Sequence, residues 1–425
     1  MRLLSLALGA LVVLCSCSQQ NEQIVDNRYA TFIKKSTDST VQSELDFWQK
    51  KLDSSPENSV FLKKKAAILS QEFRKTNNIG SLLESTEILR DLNKRFPDDV
   101  AVLHALTKNS ITRHAFSEAS DYVEQAIDLG EKEYSSRLML VDVLLENGEF
   151  AEARYVLENL GPRRGFDEQI RWVKLYDAEG DLDTAVETME LALQNAIDMN
   201  KTSLIVWSLS NLGDMYGHQG EVKKSYESYL RALEIDPTDS HSKKGIGWIA
   251  FSHDNDFGKA ESIWKELRAQ TNDPELDLLL ADLAEMKNEE SERQKYTDTF
   301  ISRVGKKEYG NMYGSYLIGL MDGDKQDEGL ALAKADLEQR SHPMTFCHYA
   351  EALHQAGRTD EAIEILNKHV LGFTEEPDAY FIAGTIFHDA QQVDQAGSLL
   401  KEALAASYEL GPNATRDIRD RLNSI

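Results

Sequence analysis

Residues 206–239 read VWSLSNLGDMYGHQGEVKKSYESYLRALEIDPTD, and this stretch decides the fold. Leu209, Leu212, Gly213 and Tyr216 recur at i, i+3, i+4 and i+7, which puts them on one face of a helix. Gly220 interrupts that pattern. Ser225, Tyr229 and Ala232 then recur at i, i+4 and i+7 on a second helix, and Pro237 closes it because proline cannot continue a helix. Two short amphipathic helices cannot bury their apolar faces alone. Neighbours of the same build must cover them.

Working outward, the chain supplies those neighbours. Near residues 100–133 the spacing is held by Leu106, Ala119, Val123 and Ala126. Near 134–165 it is held by Leu140, Leu144, Gly148, Ala153 and Leu157. Near 166–205 Trp172, Tyr176, Gly180, Ala185, Met189 and Ala192 carry it, with an extended connection onward. Residues 240–272 keep Ile246, Gly247, Ala260 and Trp264, with one extra residue expected in the inter-helix turn. The landmarks thin over 274–307, where Arg293 stands at a small-residue position, and over 309–342, where Gly323 marks the turn and Gly329 the small position. They return at Tyr349, Ala350, Leu353, Gly357, Ala362 and Leu366, and again at Ala383, Gly384, Phe387, Ala396, Leu400 and Ala403.

This spacing resembles the tetratricopeptide repeat (TPR) family over residues 58–410. The resemblance implies an all-α, right-handed superhelical TPR solenoid of about ten helix pairs. First helices would line a concave groove and second helices the convex back. Residues 40–99 read as irregular N-terminal helical repeats and 100–410 as the regular array. Residues 411–425, opened by Pro412, read as the capping helix that a solenoid needs to end its apolar edge.

The N-terminus carries an address. Residues 1–16 hold Arg2 and an apolar run from Leu3 to Leu14, too short for the roughly 20 residues that span a bilayer. That is the pattern of a signal peptide. Leu14-Cys15-Ser16-Cys17 resembles a bacterial lipobox, which implies acylation of Cys17 and a lipid-anchored protein of the cell envelope. Ser18 is not the aspartate that retains such proteins at the inner membrane, which points to the outer membrane. Residues 17–39 are polar and are expected to act as a lipidated flexible tether.

A net charge of −25 repels nucleic acid and anionic lipid surfaces, so nucleic-acid binding is set aside. With Cys15 and Cys17 in the targeting segment, Cys347 has no disulfide partner. No HExxH, GxSxG or P-loop motif occurs. Gly245-Ile-Gly247-Trp248-Ile249-Ala250 fits a dinucleotide fingerprint in letters only, since it falls on a first helix rather than after a strand. No catalytic residue, cofactor or metal is assigned.

Binding residues are expected where first helices face the groove. The candidates are Trp207, Asp214, His218, Lys244, Trp248, Phe251, Glu351, His354, Phe381 and His388. The family's peptide clamp grips a carboxylate with Lys and Asn, but here Asp214, Trp248 and Asp282 stand in the asparagine slots. His354 and His388 share one slot in adjacent units and, with Cys347, Glu351 and Thr385, would face the groove. The expected function is a membrane-anchored scaffold holding a partner protein or peptide. The alternative is a glycan- or nutrient-binding or metal-handling lipoprotein coupled to an envelope transporter.

Overall fold

The computed structural model describes residues 23–34, 40–161, 165–321 and 323–425. The signal segment and Cys17 lie outside the described residues. Among the described residues a short helix, Ala30–Ile33, and a longer one, Thr40–Ser54, precede ten helix pairs. In order they are Ser59–Thr76 with Ile79–Arg95, Val100–Thr112 with Phe116–Asp128, and Glu133–Asn147 with Phe150–Glu158. Next come Phe166–Ala178 with Leu182–Asp198, Thr202–His218 with Val222–Ile235, and Ser240–Trp248 with Phe257–Gln270. The last four are Glu275–Met286 with Glu290–Val304, Gly314–Gly319 with Gln326–Leu337, Pro343–Gln355 with Thr359–His369, and Pro377–Asp389 with Val393–Ala405. The all-α solenoid of ten pairs and a cap is therefore as expected.

The turns start helices for a local reason. Asp99, Asp181, Asp239 and Asp256 each accept backbone N–H groups of the next helix, satisfying donors that have no intrahelical partner. Within and between pairs, glycine lets large rings enter. A Cβ on Gly213 or on Gly245 would come within 2.3 Å of the Tyr229 ring, so one tyrosine fills the space between first helices of the fifth and sixth pairs. Gly247 does the same for Trp264, which is fully buried. The fingerprint glycine is a packing position.

The sixth pair departs from expectation. Its extra residue is not in the inter-helix turn. It is taken up in a π-helical turn, Ile249–His253, where the Asp254 N–H reaches back to the Ile249 carbonyl at 3.0 Å. Such a turn widens the helix by one residue and re-aims the side chains beyond it.

The array winds tightly enough for successive turns to touch. The Asn272 N–H donates to the Thr76 carbonyl at 2.6 Å. Arg340 lies over the Phe116 ring at 4.5 Å and reaches the Glu146 carbonyl, 194 residues away. His342 meets Phe150 edge-on at 5.6 Å. Gly180 faces Glu375, and Gly217 faces Tyr408. One superhelical turn thus takes between five and six pairs. The inter-helix turns of early pairs carry the entrances to later ones.

The expected free tether over 17–39 is corrected for its described part. Ile24 and Val25 donate their N–H groups to the two oxygens of Asp254, at 2.9 and 2.8 Å. Lys259 donates to the Val25 carbonyl, Tyr226 to Asp26, and Gln270 to the Ile33 carbonyl. Arg28 pairs with Glu227 at 2.6 Å. Val25 and Ile33 are buried against the second helices of the fifth and sixth pairs. Polar composition concealed this strap because its backbone and a few apolar side chains do the binding.

Candidate functional site

First helices of six consecutive pairs converge on a lumen of about 770 Å³. The fifth pair contributes Asp214 and His218, and the sixth His241, Lys244 and Trp248. The seventh adds Glu275, Leu278, Leu279 and Asp282; the eighth adds Ser315, Tyr316 and Leu320. His348 and Glu351 come from the ninth pair, Asp378, Phe381 and Ile382 from the tenth. Tyr408, Glu409 and Leu410 close the ring. A hollow of about 540 Å³ between the third and fourth pairs draws on those two pairs alone.

Of the expected groove residues, Asp214, His218, Lys244, Trp248, Glu351 and Phe381 line this lumen. Six expectations are corrected. Phe251 is 1% exposed and packs between Trp248, Phe257 and Trp264, because the π-helical turn rotates it into the core. Trp207 packs edge-on against Phe166 in the core joining the fourth and fifth pairs. His354 and His388 turn to Asp389, at 3.2 and 3.1 Å, outside the lumen lining. Cys347 is fully buried in the ninth pair's core, and Thr385 is not in the lining. Among the described residues no group of three metal-ligating side chains is assembled.

Lumen residues missed in the sequence come from the weak repeats and the stretch before the cap, among them Leu278, Tyr316 and Glu409, and also from regular pairs, among them His241 and Asp378. Asp214, Trp248 and Asp282 succeed one another at the repeat period, and one more step reaches Tyr316. That step crosses the irregular 274–307 unit, where the register is hard to carry. Tyr408 and Glu409 reach the lumen only because the superhelix closes.

The lumen's charge is organised in two zones. In the first, charges are paired. Lys244 donates to Asp273 at 3.1 Å and Glu275 at 2.5 Å. Burial alone would lower its pKa, but the two carboxylates hold it well above the usual lysine range. Asp214 accepts from Tyr229 at 2.6 Å and meets His241 at 2.6 Å. Burial opposes its ionisation, yet His241 prevails and its pKa falls below the ordinary aspartate value.

In the second zone, at and beside the lumen, carboxylates gather with only His218 and His348 opposing them. Burial, then Glu409, Asp177 and Asp378, push Glu376 up to about 7, with His218 opposing. Burial and His218 act in opposite senses on Glu409 as well, and its pKa is raised. Apart from this cluster, burial and Glu285 push Asp282 up to about 7. Water reaches Glu376, Asp378 and Asp282, which are exposed, but protein surrounds them on most sides. Apolar wall is interleaved with this acid: Trp248, Leu279, Leu320, Phe381 and Ile382. Such a mixture suits a ligand with both an apolar and a cationic part.

Residues 208–239 and 343–368 match models described as tetratricopeptide repeat. Both segments are similar to tetratricopeptide repeats. The first is the stretch that decided the fold, and the second is the first clean unit after the irregular ones. No curated relative matches the chain. Among solved structures, yeast Tom70 is 14% identical, covers 93% of this chain and 94% of its own, and has a TM-score of 0.32. A tetratricopeptide repeat protein from Parabacteroides merdae is 15% identical over 68% of this chain and 97% of its own, with a TM-score of 0.35. A human IFIT1 dimer with PPP-AAAA is 13% identical over 77% of each chain, with a TM-score of 0.47.

Proposed function

We propose that this protein is a membrane-anchored scaffold that holds a segment of a partner protein inside its lumen. The observation that carries the reading is the lumen itself, walled by first helices of six consecutive pairs with apolar and charged side chains interleaved. A wall preorganised by stacking loses little conformational entropy when a ligand binds. Repeats of this type suit protein interaction.

The anchor is proposed from the lipobox resemblance at Leu14–Cys17. Acylated Cys17 would place the protein in a bacterial envelope, at the outer membrane, facing periplasm or exterior. Ile24 is bound to Asp254. The intervening residues span at most about 25 Å when fully extended. The strap would therefore hold the sixth pair close to the lipid surface rather than let the body drift. Among the described residues no helix is long and apolar enough to cross a membrane.

Benzophenone amino acids placed at Tyr316 and Phe381, in the lumen, and at Lys224, exposed on a second helix, test the scaffold in intact membranes. The expected result is one shared adduct from both lumen positions and none from Lys224. Absence of any lumen-specific adduct overturns the reading. Fatty-acid labelling that survives Cys17→Ser overturns the anchor.

A further inference from the structure

The end of the chain is seated on the lumen wall in the manner of a bound peptide. After the tenth pair, Ser407–Leu410 makes one turn, and Gly411 breaks it with φ 79° before Pro412 opens the last helix. Two side chains from the sixth pair grip this turn by one atom. Trp248 Nε1 and Ser252 Oγ both donate to the Tyr408 carbonyl, at 3.1 and 2.6 Å. The Tyr408 ring lies where Gly217 has no side chain, since a Cβ there would come within 2.7 Å of it. It packs against the core cluster that contains Tyr229. Backbone capture plus a ring pocket is how groove proteins hold extended segments.

The occupant matches the site at one residue and clashes with it at the next. Tyr408 is well seated. Glu409 lines the lumen with Asp378 and His218. Asp378, Asp177 and Glu376 repel its carboxylate while His218 attracts it, and among the described residues it makes no hydrogen bond or ion pair. Like charges gathered in this way disfavour the docked state. A segment with the same aromatic residue and a cation after it would keep the ring contact and replace repulsion with attraction.

Resting on the reading that the lumen holds a partner segment, we propose that Gly217, Tyr229 and Trp248 bound a subsite for an aromatic residue followed by a basic one. Ser407–Leu410 is the chain's own occupant of that subsite, and the partner segment displaces it. The partner is a protein whose exposed segment carries Tyr-Lys, Tyr-Arg or their aromatic equivalents.

The test uses the full chain and three fluorescein-labelled peptides, Gly-Ser-Tyr-Lys-Leu-Gly, its Glu-for-Lys form and its Ala-for-Tyr form. Anisotropy is expected to show the lysine peptide binding at least tenfold more tightly than the glutamate peptide, and the alanine peptide not binding. Tyr408→Ala, which empties the subsite, is expected to tighten the lysine peptide tenfold or more. Glu409→Lys is expected to weaken it and to raise the thermal midpoint, because the built-in occupant then fits. The proposal is overturned if lysine and glutamate peptides bind alike, or if neither binds a helical Tyr408→Ala protein. If the peptides fail while lumen crosslinking still captures a partner, the subsite is wrong and the scaffold stands. If both fail, both readings fall.

Discussion

Gly148 lies directly against His342 of the next superhelical turn: a Cβ on Gly148 would sit 2.8 Å from the His342 Cα. The same glycine ends its helix at φ 80°, a left-handed conformation that side chains resist. One residue therefore serves the helix end and the contact between turns. Gly148→Ala is expected to cost roughly 1–3 kcal/mol, from backbone strain and the forced separation of the turns. Repeat arrays need not melt as one unit. Hydrogen exchange is the sharper measurement, and should speed up at 340–346 as well as at 144–150. Faster exchange at 144–150 alone would show that the turns do not depend on this contact.

The strap depends on Asp254, which takes two consecutive N–H groups. Hydrogen bonds to a charged group contribute about 1.5–3 kcal/mol. Asp254→Ala is expected to release residues 24–33 to rapid exchange and proteolysis while helicity stays constant. Protection of that segment equal to the unchanged protein would remove Asp254 from the explanation.

The contribution of two carboxyls to stability should fall as pH rises from about 5 to about 8, while His114 and His342, whose pKa values burial lowers to about 4, act in the opposite sense below about 6.5. Glu376 and Asp282 are pushed up to about 7 by burial and neighbouring carboxylates. A carboxyl raised in the folded state binds more protons there than in the unfolded chain. Its penalty is absent below the unfolded pKa and complete above about 7. Both groups meet solvent, so screening keeps each contribution to no more than about 1 kcal/mol. Glu376→Gln is expected to raise the thermal midpoint at pH 8 and leave it unchanged at pH 4. An equal shift at both values would show that charge is not the cause.

Lys244 holds two carboxylates, Asp273 and Glu275, in the paired zone. Removing it leaves them uncompensated. Lys244→Ala is expected to destabilise by roughly 2–4 kcal/mol, more than an exposed ion pair would, because Asp273 is largely buried. Adding Asp273→Asn to Lys244→Ala should recover part of the loss. If the two changes simply add, the pair is not coupled.

Local pattern carried most of the architecture. Leu209, Gly213, Tyr216 and Tyr229 announce a helix pair because helical period and the fit of a ring against glycine are properties of a few neighbouring residues. Asp214, Lys244, Trp248, Glu351 and Phe381 could be placed in the lumen for the same reason: repeat register says which side of a first helix faces inward. The register slipped where a residue was inserted. Phe251 looked like a groove aromatic at i+3 from Trp248, and the π-helical turn buried it. His354 and His388 shared a slot, but Asp389 drew both to itself.

The sequence by itself determined the helix pairs, their number, the small-against-large packing that stacks them and the acidity of the whole. Those features arise from interactions within about one repeat period. Only the tertiary structure decided that the array closes on itself after five to six pairs, that the polar N-terminal stretch is a strap on Asp254, and that Tyr408 seats between Gly217 and Trp248. The reason is geometric. A small rotation at each stacked pair accumulates along the chain, and whether residue 148 meets residue 342 depends on the sum of all the rotations between them. No local motif encodes that sum.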